Sequence, residues 1–401
     1  MREKTGFERR ILNRLVEDTS YRDKMNMHID SCIDLIDSGH SGKSLEDQVS
    51  GGKQEREIIL EVSKARINSR GRFSNWDRLW FDRFSSRYAT PEAVCIHRSH
   101  RITGRHVVDI GSGAGLQSIF LQRDGENSVT GIEIDHTRYM LSRLNALEMG
   151  VKGIRFISGD FHSLNVGRIA HEDSVIFSDP LRSGTSGNMN FQNLRPDPSL
   201  VVETFSPVSR DYCFDLPPHM PVENVFIQGE REYISSDGQL TRLTLYTGKL
   251  ALNEVSALIL PSGKLYSGTP EDFECLESYP EDYIYVADQA VSNSGLIPQV
   301  IKGSGIHCIY RDHRRVILSS SNYKPDFPGE IHKVLTETRE DRMREDLARM
   351  DAIKAIPRFH IKPDDYYQFR NLIEFGLRGH RNIYIFNLNN SFFLTEKIDS
   401  L

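Results

Sequence analysis

The sequence predicts an α/β protein with three parts: a helical region, a central parallel sheet, and small α+β domains at the end. Apolar residues recur at helical spacing up to about residue 70. From His106 onward, short apolar runs alternate with glycine turns and helix-like stretches, which is the pattern of a parallel sheet covered by helices. The last part of the chain shows a compact strand, helix, strand, strand pattern.

Composition describes a globular chain. Of its 401 residues, 38% are hydrophobic and 26% are charged, which provides for a buried core and argues against disorder. No apolar run approaches the ~20 residues that a spanning helix needs, so no membrane partner is predicted. Five dispersed cysteines predict reduced thiols and a cytoplasmic location. The histidines lack ligand spacing, so no metal is predicted, and no feature specifies an oligomeric state.

The helices and strands of the first half follow from apolar periodicity and glycine punctuation. Glycines at 39, 42, 51 and 52 divide the first 70 residues into two or three short helices, one of them over residues 55–67. Strands are predicted over residues 106–110, 128–134, 154–157 and 174–177, and helices over 116–122 and 137–149.

The second half reads differently. Residues 225–265 alternate as antiparallel strands do, with turns at 236–238 and 261–263. A charged helix is predicted over residues 333–353. The closing unit then contains a strand at 358–361, a helix at 364–375, and strands at 382–387 and 391–396.

Candidate ligand-binding residues lie where the predicted parallel strands end. Gly111, Gly113 and Gly115 form a turn that can bring backbone N–H groups against a ligand. Glu133 follows about 20 residues later, where a carboxylate accepts hydrogen bonds from ribose hydroxyls, whereas Asp135 is better placed to cap the next helix. Asp160, after the third strand, can accept from an adenine amine. These ends share one edge of the sheet, the edge that binds ligands.

This succession of motifs resembles the class I S-adenosylmethionine-dependent methyltransferases over residues 106–184, whose sheet is Rossmann-like. The resemblance implies that Asp109 and the turn of Gly111, Gly113 and Gly115 hold the methionine end of S-adenosylmethionine. It also implies that Glu133 holds the ribose and that Asp160 with Phe161 holds the adenine. The residues that would face the methyl acceptor are Asp179, Pro180 and Arg182.

A narrower resemblance covers most of the chain. The runs 73–76, 87–91, 232–235, 283–288 and 327–329 are similar to those of methyltransferases with a THUMP-like C-terminal domain. It implies an N-terminal helical region (1–85), a methyltransferase domain (86–280), a small ferredoxin-like domain (281–325) and a THUMP-like domain (326–401). Because THUMP modules are associated with RNA binding, the resemblance implies an RNA substrate.

One basic segment, residues 64–105, supports RNA independently. It holds ten basic and only three acidic residues, a net charge of +7 in a chain whose total is −6. The helical spacing of Phe73, Trp76, Trp80 and Phe84 favours aromatic packing on the core over base stacking. The RNA prediction therefore rests on charge, and the candidate RNA-binding residues are Arg72, Arg78 and Arg83.

The acceptor atom is left open. Leu181 and Arg182 stand where exocyclic amine methyltransferases have a second proline and a stacking aromatic ring. The run Asp179-Pro180-Leu181-Arg182-Ser183-Gly184 is near that of uridine carbon methyltransferases, which need a cysteine nucleophile. Cys213 is better interpreted as structural. The alternatives are a non-catalytic RNA-binding protein with a retained cofactor pocket, and a methyltransferase acting on a protein or small molecule.

Overall fold

The computed structural model describes residues 7–182, 189–312 and 315–398, so Ser183 and Gly184 of the acceptor motif lie outside the described residues. The chain divides into two compact units. The first comprises Met1–Glu230 and Thr244–Leu252, and the second comprises Arg231–Leu243 and Asn253–Leu401.

The first unit begins with helices that supply much of its core. Its helices are α1 (Arg9–Glu17), α2 (Thr19–Asp37), α3 (Gly42–Glu46), α4 (Lys53–Asn68), α5 (Arg83–Tyr88), α6 (Glu92–Arg101), α7 (Leu116–Gly125), α8 (His136–Glu148) and α9 (Pro198–Phe205). Helix α4 confirms the helix predicted over residues 55–67. The predicted glycines also stand at the breaks, since α2 ends just before Gly39 and α4 follows Gly52.

The parallel sheet of the first unit confirms the predicted fold class. The described strands of its chain up to residue 216 are β1 (His106–Ile110), β2 (Ser128–Glu133), β3 (Arg155–Ser158), β4 (Ser174–Ser178), β5 (Leu181–Arg182), β6 (Leu194–Arg195) and β7 (Asp211–Leu216). In the order β7-β4-β1-β2-β3, every neighbouring pair is parallel. Strands β5 and β6 form a separate antiparallel ribbon.

The aromatic segment after α4 packs on the core, but it is not one helix. Phe73, Trp80 and Phe81 are buried with the apolar faces of α2 and α4. Trp76–Arg78 forms a single 3₁₀ turn, and α5 begins only at Arg83. Asn145 of α8 explains why the helix breaks, because its side chain bonds to both the backbone N–H and the carbonyl of Trp80. These bonds hold the chain extended there.

The boundary between the units passes through a pair of strands joined at the predicted turn 236–238, β8 (Glu230–Ser236) and β9 (Gln239–Tyr246). Strand β10 (Val255–Leu260) and β11 (Lys264–Gly268) flank the predicted turn 261–263 and are antiparallel, as predicted. Strand β10 pairs with β8 in parallel, which the alternating pattern did not reveal. Within the second unit the order is β11-β10-β8-β9.

The rest of the second unit is a seven-stranded sheet with helices, as far as the described residues show. Its elements are β12 (Tyr283–Ala287), α10 (Gln289–Ser294), α11 (Ile297–Ile301), β13 (His307–Arg311), β14 (Val316–Ser320), β15 (Gly329–Thr338), α12 (Met343–Arg349), β16 (Ala352–Pro357), α13 (Pro363–Glu374), β17 (Arg381–Leu388) and β18 (Ser391–Ile398). The order β13-β14-β12-β15-β18-β17-β16 is antiparallel except between β16 and β17. Strands from residues 281–325 and 326–401 thus share one sheet.

One predicted helix of this unit is wrong. The charged helix over residues 333–353 is replaced by strand β15, a loop, and the short helix α12. Strand β15 pairs with β12 on one side and β18 on the other, and its His332 is fully buried. Two-sided pairing overrides local propensity, and the branched side chains of Val334, Thr336 and Thr338 suit a strand. The predicted strand 358–361 also lies earlier, at β16, whereas α13, β17 and β18 agree with prediction.

Candidate active site

A cavity of about 770 Å³ opens where β1, β2, β3 and β4 end. Its lining includes seven of the predicted site residues: Asp109, Gly111, Gly113, Glu133, Asp160, Phe161 and Asp179. They come from four successive strand ends, which a parallel sheet brings to one edge. The edge of the sheet that was predicted to bind a ligand therefore forms a cavity, and carboxyl groups from several strand ends line it.

Asp109 is the most buried of these acids. It lies in β1 with 1% of its surface exposed, and the Ser118 hydroxyl donates to its Oδ2 at 2.6 Å. Burial is the main cause that raises the pKa of Asp109 to about 7; the nearby carboxyls of Asp179 and Glu133 act in the same direction, and the Ser118 hydrogen bond opposes the shift. A cationic ligand in the cavity would relieve this repulsion.

The glycines of the turn have two different surroundings: some line the cavity, and another packs against a helix. Gly113 has φ +56° and open space where a side chain would start, and it lines the cavity with Gly111. Gly115 does not line the cavity. It has φ +82° at the start of α7, where an added Cβ would lie 3.0 Å from the Ser142 backbone. Its glycine is required by close packing of α7 on α8.

Glu133 holds the glycine turn to β2. Its Oε2 accepts from the Gly113 N–H and its Oε1 from the Asp135 N–H, both at 2.8 Å. Burial raises the pKa of Glu133, and these two N–H bonds counter the shift. Asp135 caps α8 by accepting from the Arg138 N–H, which confirms its predicted role as a helix cap.

Asp160 and Phe161 both line the cavity at the end of β3. Asp160 is exposed, and its Oδ1 accepts from the His162 N–H at 3.1 Å. Phe161 is buried and lines the cavity, with its ring parallel to Phe205 of α9 at a centroid distance of 6.3 Å. The pair thus offers an acceptor beside an apolar surface.

At the end of β4, Asp179 alone of the three predicted catalytic residues lines the cavity. The Thr90 hydroxyl donates to Asp179 Oδ2 at 2.9 Å. Pro180 is buried and Arg182 is exposed, and neither contributes to the cavity wall, while Leu181 between them does. Cys213 is fully buried in β7 within an apolar cluster, as a structural cysteine would be.

The sequence motifs did not single out the part of the cavity wall that lies outside the strand ends. It includes Phe84 and Tyr88 of α5, then Thr90, together with Leu200 of α9. Phe84 and Tyr88 are aromatic residues of the basic segment 64–105, and the run 87–91, which contains Tyr88 and Thr90, is part of the family resemblance. No motif spacing points to these residues, because Phe84, Tyr88 and Thr90 precede the sheet in the chain, Leu200 follows β4, and all four reach the cavity through tertiary packing.

Arg72 forms hydrogen bonds to the backbone of its own chain. Its guanidinium donates to the carbonyl oxygens of Ser86, at 2.5 Å, and Ala89, which brackets the end of α5. Arg78 and Arg83 are exposed, and Arg78 lies 3.8 Å from Asp77. Of the three arginines predicted to bind RNA, two therefore face solvent and one braces the cavity wall.

Much of the +7 charge of residues 64–105 is offset by acids from outside the segment. Five of its arginines form such ion pairs: Arg66 with Asp30, Arg70 with Asp37, Arg98 with Asp215, Arg101 with Glu230, and Arg105 with Asp211. Arg66 and Arg98 are fully buried. The net charge of the segment therefore overstates the positive surface that it presents.

The cavity fits S-adenosylmethionine on two observations. The buried hydroxyl of Ser112 has no hydrogen-bond partner among the described residues, so a ligand can supply one. The converging carboxyls of Asp109, Glu133 and Asp179 suit the positive ammonium and sulfonium groups. Within the part of the chain described, no cluster of His, Cys, Asp and Glu has metal-binding geometry.

Among the residues that the structure describes, no helix is both long enough and apolar enough to cross a membrane.

Comparison with solved structures shows the fold. A candidate methyltransferase from Porphyromonas gingivalis W83 superposes with a TM-score of 0.75 at 15% identity, covering 98% of this chain and 100% of that chain. An RNA methyltransferase from Salinibacter ruber, solved with S-adenosyl-L-homocysteine, gives a TM-score of 0.30 at 18% identity, covering 40% of this chain and 94% of its own.

TrmK of M. capricolum, solved with its natural cofactor product S-adenosyl-homocysteine, gives a TM-score of 0.29 at 12% identity, with 38% and 67% covered. No protein-family model and no curated protein matches the sequence. The fold assignment therefore rests on the first of these structures. The chain has a Rossmann-like methyltransferase fold, extended by β-rich structure in the second unit.

Proposed function

We propose that this protein is an S-adenosylmethionine-dependent methyltransferase that acts on a base in RNA. The observation that carries the proposal is the cavity at the carboxyl edge of the sheet, where Asp109, Glu133, Asp160 and Asp179 come together. Such an edge is where sheets of this kind bind ligands. The shared fold with a candidate methyltransferase agrees with this assignment.

Residues on the glycine-turn side would hold the cofactor. S-adenosylmethionine, when bound, supplies a methyl group activated by its positive sulfur. Asp109 and the Ser112 hydroxyl, both in the cavity wall, would bind its methionine end. Glu133 would bind the ribose, and Asp160 with Phe161 the adenine.

Residues at the end of β4 would hold the methyl acceptor. The Ser178 hydroxyl donates to the Ile110 carbonyl at 3.0 Å, which ties the end of β4 to the end of β1. Thr90 then fixes one oxygen of Asp179. A carboxylate held in this way can accept a hydrogen bond from an acceptor N–H and orient it, and orientation is most of what an in-line methyl transfer requires.

The proposal that the substrate is RNA has its own support. It is supported by the exposed arginines Arg78 and Arg83 and by the resemblance of the C-terminal part to a THUMP-like domain. The domain boundaries that this resemblance implies stay a prediction. A non-catalytic RNA-binding protein, or a methyltransferase with a protein or small-molecule substrate, is the alternative.

Two experiments test the proposal. Isothermal titration with S-adenosylmethionine is expected to show binding to the full chain, and Glu133→Gln is expected to weaken it, because an amide cannot accept from both N–H groups that bond to Glu133. Glu126→Gln, at an exposed acid at the end of α7, is the matched control. No binding by the wild type would leave the RNA-binding alternative.

The second experiment compares nucleosides from cells with and without the gene by mass spectrometry. The proposal expects one methylated nucleoside to be missing from the RNA of the deletion strain. An unchanged RNA nucleoside profile, with S-adenosylmethionine binding intact, would favour a protein or small-molecule acceptor.

A further inference from the structure

The cavity wall carries an exposed aromatic side chain. Tyr88, the last residue of α5, lines the cavity and still has 45% of its surface exposed. Leu200 of α9 also lines the cavity and is 44% exposed. Large apolar side chains of a cavity wall that stay this open leave room for a ligand surface to cover them.

The ring of Tyr88 is held in place from several sides. The Phe84 ring lies 4.6 Å away, centroid to centroid, and the Arg87 guanidinium lies 5.4 Å from the Tyr88 ring centre. Arg72 donates to the carbonyls of Ser86 and Ala89, one on each side of Tyr88 in the chain. A ring on a braced segment is a preorganised stacking surface.

The same segment positions the acceptor carboxylate. Thr90, two residues after Tyr88, donates to Asp179 Oδ2 at 2.9 Å. Tyr88 and Thr90 therefore stand on one segment that lines the same cavity as Asp179, whose carboxylate can accept from an N–H. Leu181, which follows Asp179 and Pro180, has no ring for stacking, so Tyr88 provides from α5 the aromatic face that the acceptor motif lacks.

Charge on α5 indicates what carries the planar group. Arg83 and Arg87 are both exposed on this helix, and Arg87 is next to the ring. Positive side chains beside an aromatic platform match a nucleotide strand, whose bases stack while its phosphates meet the arginines. An aliphatic amine has no planar face to stack on the ring and no phosphate for the arginines, so it would not use both features together.

We propose that the target nucleobase of an RNA stacks on the ring of Tyr88, and that Asp179 accepts a hydrogen bond from an N–H group of this base. This inference rests on the proposed function and names the substrate contact of the same site. The base must be unpaired or extruded from a helix, because a paired base offers neither an open face nor a free amine edge.

The test uses the full chain, tritiated S-adenosylmethionine and total RNA from cells that lack the gene. Tyr88→Ala is expected to lower kcat/KM for methyl transfer by about 10- to 100-fold, the range for losing one base stack. Tyr88→Phe keeps the ring and is expected to stay within about threefold of the wild type. Tyr279→Ala, at an exposed tyrosine of the second unit, is the control.

Binding of S-adenosylmethionine is measured on every variant. The inference expects unchanged affinity for it in Tyr88→Ala, which separates a loss of stacking from a loss of folding. A Tyr88→Ala enzyme that keeps more than a third of the wild-type rate overturns the inference, as does equal loss in Tyr88→Phe. Wild type that binds the cofactor but methylates no RNA overturns both this inference and the RNA part of the proposed function. Wild type that binds no cofactor overturns the proposed function itself.

Ultraviolet crosslinking of the wild type to the same RNA gives a readout without substitution. After tryptic digestion, the nucleotide adduct is expected on the peptide of residues 88–98, which begins with Tyr88. Adducts confined to peptides that do not line the cavity would contradict the inference.

Discussion

At the scale of single residues, Asp109 has the strongest physical signature. Its carboxyl is buried in β1, and burial raises its pKa to about 7. Below that pH the carboxyl is increasingly neutral and loses its attraction for a positive ligand. We therefore predict that the Kd for S-adenosylmethionine is about tenfold weaker near pH 5.5 than at pH 7.5, measured by isothermal titration. In Asp109→Asn, this dependence should be absent and binding weak at both values.

The same shift makes a prediction about stability. A folded-state pKa above the unfolded value means that the folded protein binds more protons between about pH 4 and 7, so this group's contribution to stability falls as pH rises through that window. Asp109→Asn should consequently raise the Tm of the ligand-free protein at pH 8 by several degrees. A lower Tm for this variant would show that the carboxylate is stabilising as it stands.

Two glycines of one turn should respond differently to substitution. An added methyl at Gly115 meets the backbone of Ser142, at a φ of +82°, so Gly115→Ala should destabilise the protein by about 3 kcal/mol or more. At Gly113 nothing lies within 4 Å, and Gly113→Ala should cost only about 1 kcal/mol, yet its methyl enters the cavity and should weaken cofactor binding. Thermal unfolding and titration separate the two effects, and equal stability loss would refute the distinction.

The sequence predicted several of the residues that line the cavity, because those residues are local to strand ends. Asp109, Glu133 and Asp160 each follow from their strand. It could not show that the Gly115 conformation is demanded by α8, or that Glu133 bonds to Gly113, because both depend on contacts with another element.

At the scale of elements, α5 and its brace form one wall of the cavity. Arg72 donates to the carbonyls of Ser86 and Ala89, so Arg72→Met should lower the Tm and the methyl-transfer rate together. Arg83→Glu, at an exposed position of α5, should instead leave the Tm within about 1 °C, weaken RNA binding and lower its salt dependence by about one phosphate contact. Fluorescence anisotropy across a salt series measures the second effect. A Tm unchanged by Arg72→Met would contradict the bracing role.

The sequence predicted the repeating β-α-β elements of the sheet well, since strong periodicity and glycine turns define them. It failed where tertiary pairing decides. Strand β15 reads as a charged helix, yet it lies between β12 and β18. The extended stretch before α5 reads as helical, yet Asn145 holds it by two hydrogen bonds at Trp80.

At the scale of the whole molecule, net charge is a poor guide to the partner. The total of −6 hides a segment of +7, and in that segment five arginines pair with acids from outside it. Much of the positive charge of this segment is thus neutralised by ion pairs within the protein. What remains on the surface beside the cavity includes Arg83 and Arg87, which makes the position of charge more informative than its amount.

Methyl transfer from S-adenosylmethionine to RNA at this cavity is the activity that we propose for the molecule. The most direct measurement is the incorporation of tritiated methyl into RNA from cells that lack the gene, by the purified full-length chain. We predict incorporation by the wild type and its loss in Asp179→Ala, with both proteins compared at a saturating concentration of S-adenosylmethionine. Folded wild type that binds the cofactor but transfers no label to RNA would contradict the claim.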